Sequence, residues 1–251
     1  FADAQEKCVK SQWEGARVVI LGDSISDPGS GDGSTHYYGY LRDMMGIGSF
    51  SLGVSGAQVI HLYSQLERLE KAYGNEFDAM LIFVGTNDFD NSVVPGEWFT
   101  YTTENIHGRG GQDHGVLRRD FVMDDSTFRG SLNRFMSTVR KKFPDKQIIL
   151  MTTPHRGYAC FSETNVQPAE NYANNIGCFI DEYVDAVRQC ASIWSVPLID
   201  LYGASGLFPL YGEYAPYFAN EETDMLHPSD LGHHRLASLI MYQLLALPCK
   251  F

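Results

Sequence analysis

Residues 17-RVVILG-22 form a short apolar run that ends at glycine and passes straight into 22-GDSISD-27. A strand with one wet face alternates apolar and polar residues; this one does not, so it reads as a strand covered on both sides. The same texture recurs at 78-DAMLIFVG-85, 147-QIILMTTP-154 and 195-SVPLID-200, with a weaker strand at 49-SFSLG-53. Helical spacing fills the intervals, over 36–46, 57–73, 126–143, 170–193 and 229–247. In 57–73, for example, Val59, Leu62, Tyr63, Leu66 and Leu69 fall on one side. Strand and helix in alternation predict an α/β fold: a three-layer α/β/α sandwich around a central, mainly parallel five-stranded sheet, with ligands gathered beyond the carboxyl ends of the strands.

The rest of the composition fits that frame. The 251 residues are 44% hydrophobic and 13% aromatic, enough for a large core, and no Pro-rich or Gly/Ser-rich linker divides them, so one domain spanning 1–251 is expected. With 19 Lys+Arg against 31 Asp+Glu, the formal charge of −12 is poor material for binding nucleic acid or a broad anionic surface. The longest apolar stretches fall far short of the roughly 18 residues that a membrane span needs. The chain starts at Phe1 without an initiator Met, which points weakly to a processed, secreted or periplasmic protein.

Three stretches break the alternation: about 89–125, 154–169 and 203–223. The first is too long and polar for an ordinary connection and reads as a loop excursion, functional or merely inserted. The five cysteines, Cys8, Cys160, Cys178, Cys190 and Cys249, include no CxxC pair. In an oxidising compartment Cys8–Cys249 could tie the termini and Cys160–Cys178 could brace a loop; buried free thiols are the plainer alternative.

Chemistry-bearing residues cluster at the predicted strand ends. Ser24 follows the first strand in a tight turn, which can hold a hydroxyl outward while backbone N–H groups face the same space. Gly56, in 51-SLGVSGAQ-58, can offer an unobstructed N–H at a helix start, and Asn87, in 84-VGTNDF-89, can aim an amide at a developing oxyanion. In 224-DMLHPSDLGHH-234, Asp224 lies three residues from His227, close enough to orient its imidazole, while Ser229 or Asp230 can cap the following helix. Each motif alone also fits a turn or a cap. A zinc site lacks a third ligand at suitable spacing, and a metal phosphoesterase built on Asp23, Asp27, Asp88 and Asp90 would leave the Ser, Asn and Asp–His groups unused, so no metal or cofactor is expected.

Taken together and in this order, the GDS, the glycine after the second strand, the GTND and the DxxH make the chain resemble the SGNH/GDSL hydrolase family. The resemblance implies a serine esterase with Ser24 as nucleophile, His227 as base and Asp224 as its orienting acid. It also implies an oxyanion hole from the N–H groups of Ser24 and Gly56 and the amide of Asn87. Two departures stand out. Ser51 occupies a position where the family often has Asn, with Gly53 nearby as a rival to Gly56 as donor, and the nucleophile block reads GDSISDPGS without the family's frequent Thr or Leu after GDS.

Family members include carbohydrate acetylesterases, lysophospholipases and thioesterases. The irregular segments here are rich in aromatic and hydrogen-bonding residues: Trp98, Phe99, Tyr101, His107, Arg109, His114, His155, Arg156, Tyr158, Tyr211, Tyr214 and Tyr217. Such a set suits a sugar ring better than a lipid tail, and no amphipathic lid is evident. The expected substrate is therefore a glycan or other small-molecule ester carrying a small acyl group, with His155, Arg156, Trp98 and Tyr158 as candidate binding residues. Longer acyl chains on a lysophospholipid or thioester are the alternative, and a non-catalytic carbohydrate-binding protein on the same scaffold is a more distant one.

Overall fold

The apolar runs pair with one another in the computed structural model, which describes residues 10–30, 35–108 and 110–250. The strands β1 (Arg17–Leu21), β2 (Gly48–Ser51), β3 (Ala79–Phe83), β6 (Gln147–Met151) and β9 (Leu198–Ile199) form one parallel sheet in the order β2-β1-β3-β6-β9. Helices cover both faces, as the unbroken hydrophobicity of the strands requires. Val18 and Ile20 pack toward α1 (Tyr37–Met45) and α7 (Asp230–Leu245), while Val19 and Leu21 pack toward α2 (Leu62–Tyr73), α4 (Phe128–Lys142) and α5 (Ile180–Ile193). The expected five-stranded sandwich is thus the observed one. A short helix α3 (Thr86–Asp90) follows β3, and α6 (Leu201–Ala204) follows β9.

Boundaries shift where local chemistry competes with periodicity. The helix expected over 170–193 begins at Ile180, because the Asn174 side chain accepts hydrogen bonds from Ile176 N and Cys178 N and holds that stretch in a turn. The strand expected over 195–200 pairs only at Leu198 and Ile199, next to Pro197, which has no N–H to donate. Ser229, rather than Asp230, caps α7, its hydroxyl accepting from Gly232 N at 3.3 Å.

The three irregular stretches carry more structure than expected. Within 89–125, β4 (Phe99–His107) and β5 (Asp113–Phe121) pair in continuous antiparallel register as an exposed two-stranded ribbon, so this excursion is a hairpin more than a loop. Its base is fixed: Phe121 stacks on Trp194 at 4.7 Å, and Asn133 Nδ2 donates to Trp98 O and Val122 O. The run of Thr100, Tyr101, Thr102 and Thr103 carries the strand propensity. The other two stretches join in a second sheet, ordered β10-β11-β7-β8, from β7 (Ala159–Ser162), β8 (Asn165–Gln167), β10 (Phe218–Asn220) and β11 (Asp224–Pro228). Cys160 and Cys178 carry free thiols, so that pair does not brace a loop. The Cys8–Cys249 pairing involves a residue outside the described ones.

Because the ribbon beyond its base adds little buried surface, replacing residues 101–119 by a tight Gly-containing turn should leave the fold intact and move the thermal midpoint by no more than about 3 °C. Circular dichroism melts of the shortened and full chains check this.

Candidate active site

The parallel register delivers the ends of β1, β2 and β3 to one edge. Gly22 ends the first run, and a Cβ there would meet Ser26 Oγ at 2.9 Å and Phe83 O at 3.1 Å. The chain then turns: Ser26 N donates to Asp23 O, and Ile25 N to Asp23 Oδ1, both at 3.0 Å. This turn presents Ser24. From α2, the fully buried Gln65 grips Gly22 on both sides of its backbone, accepting from Gly22 N at 2.8 Å and donating to Gly22 O at 2.7 Å.

Beyond β2, the two glycines separate in role. A Cβ on Gly53 would lie 2.7 Å from the Ser26 carbonyl carbon and oxygen, so Gly53 is a packing contact against the turn that presents Ser24. Gly56 has φ +75°, open space where a Cβ would be, and a place on the cavity wall beside Ser24. Ser51, the departure noted in the sequence, donates its hydroxyl to Ser26 O and so ties β2 to the same turn. Beyond β3, Asn87 opens α3, lines the cavity, and donates one amide hydrogen to Ala57 O at 3.1 Å, leaving the other for a ligand. Among the described residues no protein acceptor takes the N–H of Ser24 or Gly56.

The Asp–His block lies on β11, an inner strand of the second sheet. Asp224 Oδ1 accepts from the backbone N–H of Leu226 and His227, at 3.1 and 2.9 Å, which leaves Oδ2 for His227 Nδ1 at 2.8 Å. His227 Nε2 stands 2.8 Å from Ser24 Oγ. These three side chains thus form one hydrogen-bonded line across 203 residues of sequence. Phe161 flanks the imidazole, with ring centroids 5.3 Å apart.

Buried charge underlies the site. Asp23 and Asp88 are both pushed up to about 7, in each case chiefly by burial, and each keeps one carboxylate oxygen without a partner. Asp88 Oδ1 accepts from Val59 N at 3.2 Å, linking α3 to the approach of α2. The four acidic residues considered as metal ligands are turned to separate tasks: Asp27 accepts from Ser55 and Gly29, and Asp90 lies 3.6 Å from Arg156. Among the described residues no group of His, Cys, Asp and Glu converges as a metal site.

The cavity around Ser24 measures about 1160 Å³, and its far wall comes from the second sheet: Phe161, Asn165, Gln167, Asn220 and Thr223. The four residues singled out for substrate binding do not line it. Arg156 is wholly buried, its guanidinium donating to Thr86 O, Thr86 Oγ1 and Gln167 Oε1, so it braces α3 against β8. His155 bonds Glu170 at 2.6 Å and lies against Tyr202. Trp98 belongs to the core and donates to Gln189 Oε1, and Tyr158 is exposed outside the cavity. The four lie off the cavity because position just past a strand end does not fix which way a side chain turns. Sequence reading also passed over Gln65 and the second-sheet wall. Gln65 did leave a signal, a polar residue in the buried stripe of an amphipathic helix; Asn165 and Asn220 left none.

Residues 20–235 match the sequence model of the GDSL-like lipase/acylhydrolase family. No curated protein matches the chain. Among solved structures, a Lactobacillus plantarum protein is 23% identical with a TM-score of 0.70, the match covering 92% of this chain and 97% of that one. A Chitinophaga pinensis protein described as a possible lipase is 21% identical, with a TM-score of 0.68 over 91% of this chain and 97% of its own. Axe2, an acetylxylan esterase from Geobacillus stearothermophilus, is 21% identical, with a TM-score of 0.54 over 92% and 94% of the two chains.

Folding raises the pKa of Asp23 from an ordinary 3.8 to about 7, so between those values the folded protein holds a proton that the unfolded chain has released. The stability this proton represents is fully present below about pH 4 and is lost as the pH rises through 7. Asp23→Asn keeps an acceptor for Ile25 N and cannot ionise. Its melting temperature should therefore gain on wild type progressively between pH 4 and pH 8; a constant difference across that window would contradict the assignment.

Proposed function

The chain belongs to the GDSL-like lipase/acylhydrolase family and is a carboxylic-ester hydrolase, and we propose that it works through an acyl-enzyme on Ser24 and removes O-acetyl groups from carbohydrate. The observation that carries the mechanism is the line from Ser24 Oγ through the His227 imidazole to Asp224, each step 2.8 Å. His227 Nε2 takes the serine proton as Oγ attacks the ester carbonyl. Asp224, held by two backbone N–H groups, keeps the other nitrogen protonated and then faces the imidazolium. The N–H groups of Ser24 and Gly56 and the second amide hydrogen of Asn87 meet the charge growing on the carbonyl oxygen. His227 returns its proton to the leaving alcohol, and water repeats the sequence on the acyl-enzyme.

What supports a small acyl group on a sugar is the lining of the cavity. Its far wall is built of amides and hydroxyls, and Phe161 is the one large apolar residue exposed on it among the described residues. A long acyl chain needs continuous apolar surface, and the other large apolar residues here, Ile25 and Leu226, are buried. One aromatic face among hydrogen-bonding groups suits a sugar ring carrying an ester.

Ser24→Ala should abolish hydrolysis of acetyl, butyryl and octanoyl aryl esters, and wild type should be fastest on acetyl; a maximum at octanoyl would move the reading to lysophospholipid or thioester substrates. Asn87→Ala should lower kcat by about 10²–10³ with little change in KM, since the interaction grows only in the transition state. Gln65→Leu removes both grips on Gly22 while keeping a buried side chain of similar size, and should lower kcat more than it raises KM. A variant that merely melted earlier at unchanged kcat would make Gln65 structural alone.

A further inference from the structure

A second cavity, of about 470 Å³, opens beside the one that holds Ser24, and the two share Thr35 and His36 on their walls. It lies over the outer end of the parallel sheet, between α1 and β2. An acetyl group with the sugar that bears it engages the Ser24 cavity, so a neighbouring unit of an oligomeric substrate running past His36 would enter the second one.

Its lining is distinctive in two ways. The rings of Phe50, on β2, and Tyr73, at the end of α2, stand 5.1 Å apart at 44°, and Phe50 is exposed on the cavity side of an otherwise covered sheet edge. On the opposite wall stands Arg42, an exposed guanidinium. Arg17, Arg118, Arg134, Arg156 and Arg188 each face a carboxylate, Arg68, Arg129 and Arg235 donate to backbone carbonyls, and Arg119 lies over Phe99. Arg42, like Arg140, has none of these partners among the described residues, and unlike Arg140 it lines a cavity. Its place in the last turn of α1 suits the helix dipole, but that does not account for an unmatched guanidinium turned into a cavity beside an aromatic pair.

We propose that this cavity is a subsite for a carboxylate-bearing sugar unit next to the esterified one, with Arg42 holding the carboxylate and the Phe50–Tyr73 pair carrying the ring. The inference rests on the carbohydrate-esterase reading of the Ser24 site. The guanidinium fork matches a carboxylate in geometry as well as charge, and exposed aromatic faces supply the sequence-tolerant part of sugar binding. The net charge of −12 repels an acidic glycan at long range, so the attraction is local to Arg42 and weakens with added salt.

The test uses the full chain carrying Ser24→Ala, titrated calorimetrically with a hexuronic acid trisaccharide and with the matching neutral hexose trisaccharide. The acidic sugar should bind roughly tenfold more tightly, a preference that falls with salt and disappears when Arg42→Gln is added. Arg42→Lys, which keeps the charge without the fork, should retain part of it, and Phe50→Ala should weaken both sugars. Equal affinity for the two sugars, or a preference that survives Arg42→Gln, would overturn the subsite. The underlying reading is judged separately: wild type that hydrolyses no aryl acetate in a Ser24-dependent way would overturn the esterase assignment, while the titration still decides what Arg42 recognises.

Discussion

Strand β1 runs between β2 and β3, parallel to both, and almost everything about the site depends on that arrangement. Ile20 pairs with Ser51 on one side and Leu81 on the other, so the three strands end nearly level. Parallel neighbours must return through helices on the sheet faces, so the chain leaves all three at one edge. Strand order also reverses direction there: the chain steps from β1 outward to β2 and then back across to β3. A crevice opens at such a point, and Ser24, Gly56 and Asn87 come from the three connections that border it.

Holding three connections in register beneath a crevice calls for polar contacts in a place that excludes water. Gln65 grips Gly22 from α2, Asp88 reaches from α3 to Val59, Ser51 reaches from β2 to Ser26, and Arg156 braces α3 from below. Gln65 has a partner for both its oxygen and its nitrogen and stiffens the turn. Asp23 and Asp88 are not, and each leaves a carboxylate oxygen unpartnered under the site. Burial of that kind disfavours the charged form, which is why both groups hold their protons toward neutrality. A stable core alone would not select two such carboxylates; their backbone contacts, from Ile25 and Val59, are what shape the turns bearing Ser24 and Gly56.

The opposite wall has a different origin. The second sheet gathers β7, β8, β10 and β11 from segments separated by α5, β9 and α6, and puts the Asp224–His227 strand between β10 and β7. Pairing on both sides fixes the backbone around His227, which lets a single carboxylate bond set its imidazole against Ser24. The same strands furnish Phe161, Asn165 and Asn220. His227 and the far wall of the cavity therefore belong to one unit, while Ser24, Gly56 and Asn87 follow strands of the parallel sheet.

Much of this is legible in the sequence, and for identifiable reasons. Apolar runs without alternation mark doubly covered strands, helical stripes mark what covers them, and parallel strands confine chemistry to one edge; Ser24, Gly56 and Asn87 could be picked out because they stand just past those ends, and Asp224 and His227 because their block completes a recognisable order. The β4–β5 ribbon and the second sheet were harder: the ribbon and the β7–β8 hairpin are local but short or exposed, and joining β7 to β11 depends on a partner far along the chain. The direction of individual side chains was not legible at all. His155 and Arg156 stand just past a strand end as Ser24 and Asn87 do, yet Arg156 turns inward to Thr86 and Gln167, while Phe161 and Asn165 turn to the cavity. By itself the sequence determined the sheet, its covering helices and the order of the reacting groups, because hydrophobic periodicity and backbone handedness act locally. Only the tertiary structure decided which polar residues brace the site and which face its ligand, because that depends on cross-chain hydrogen bonds that no local pattern encodes.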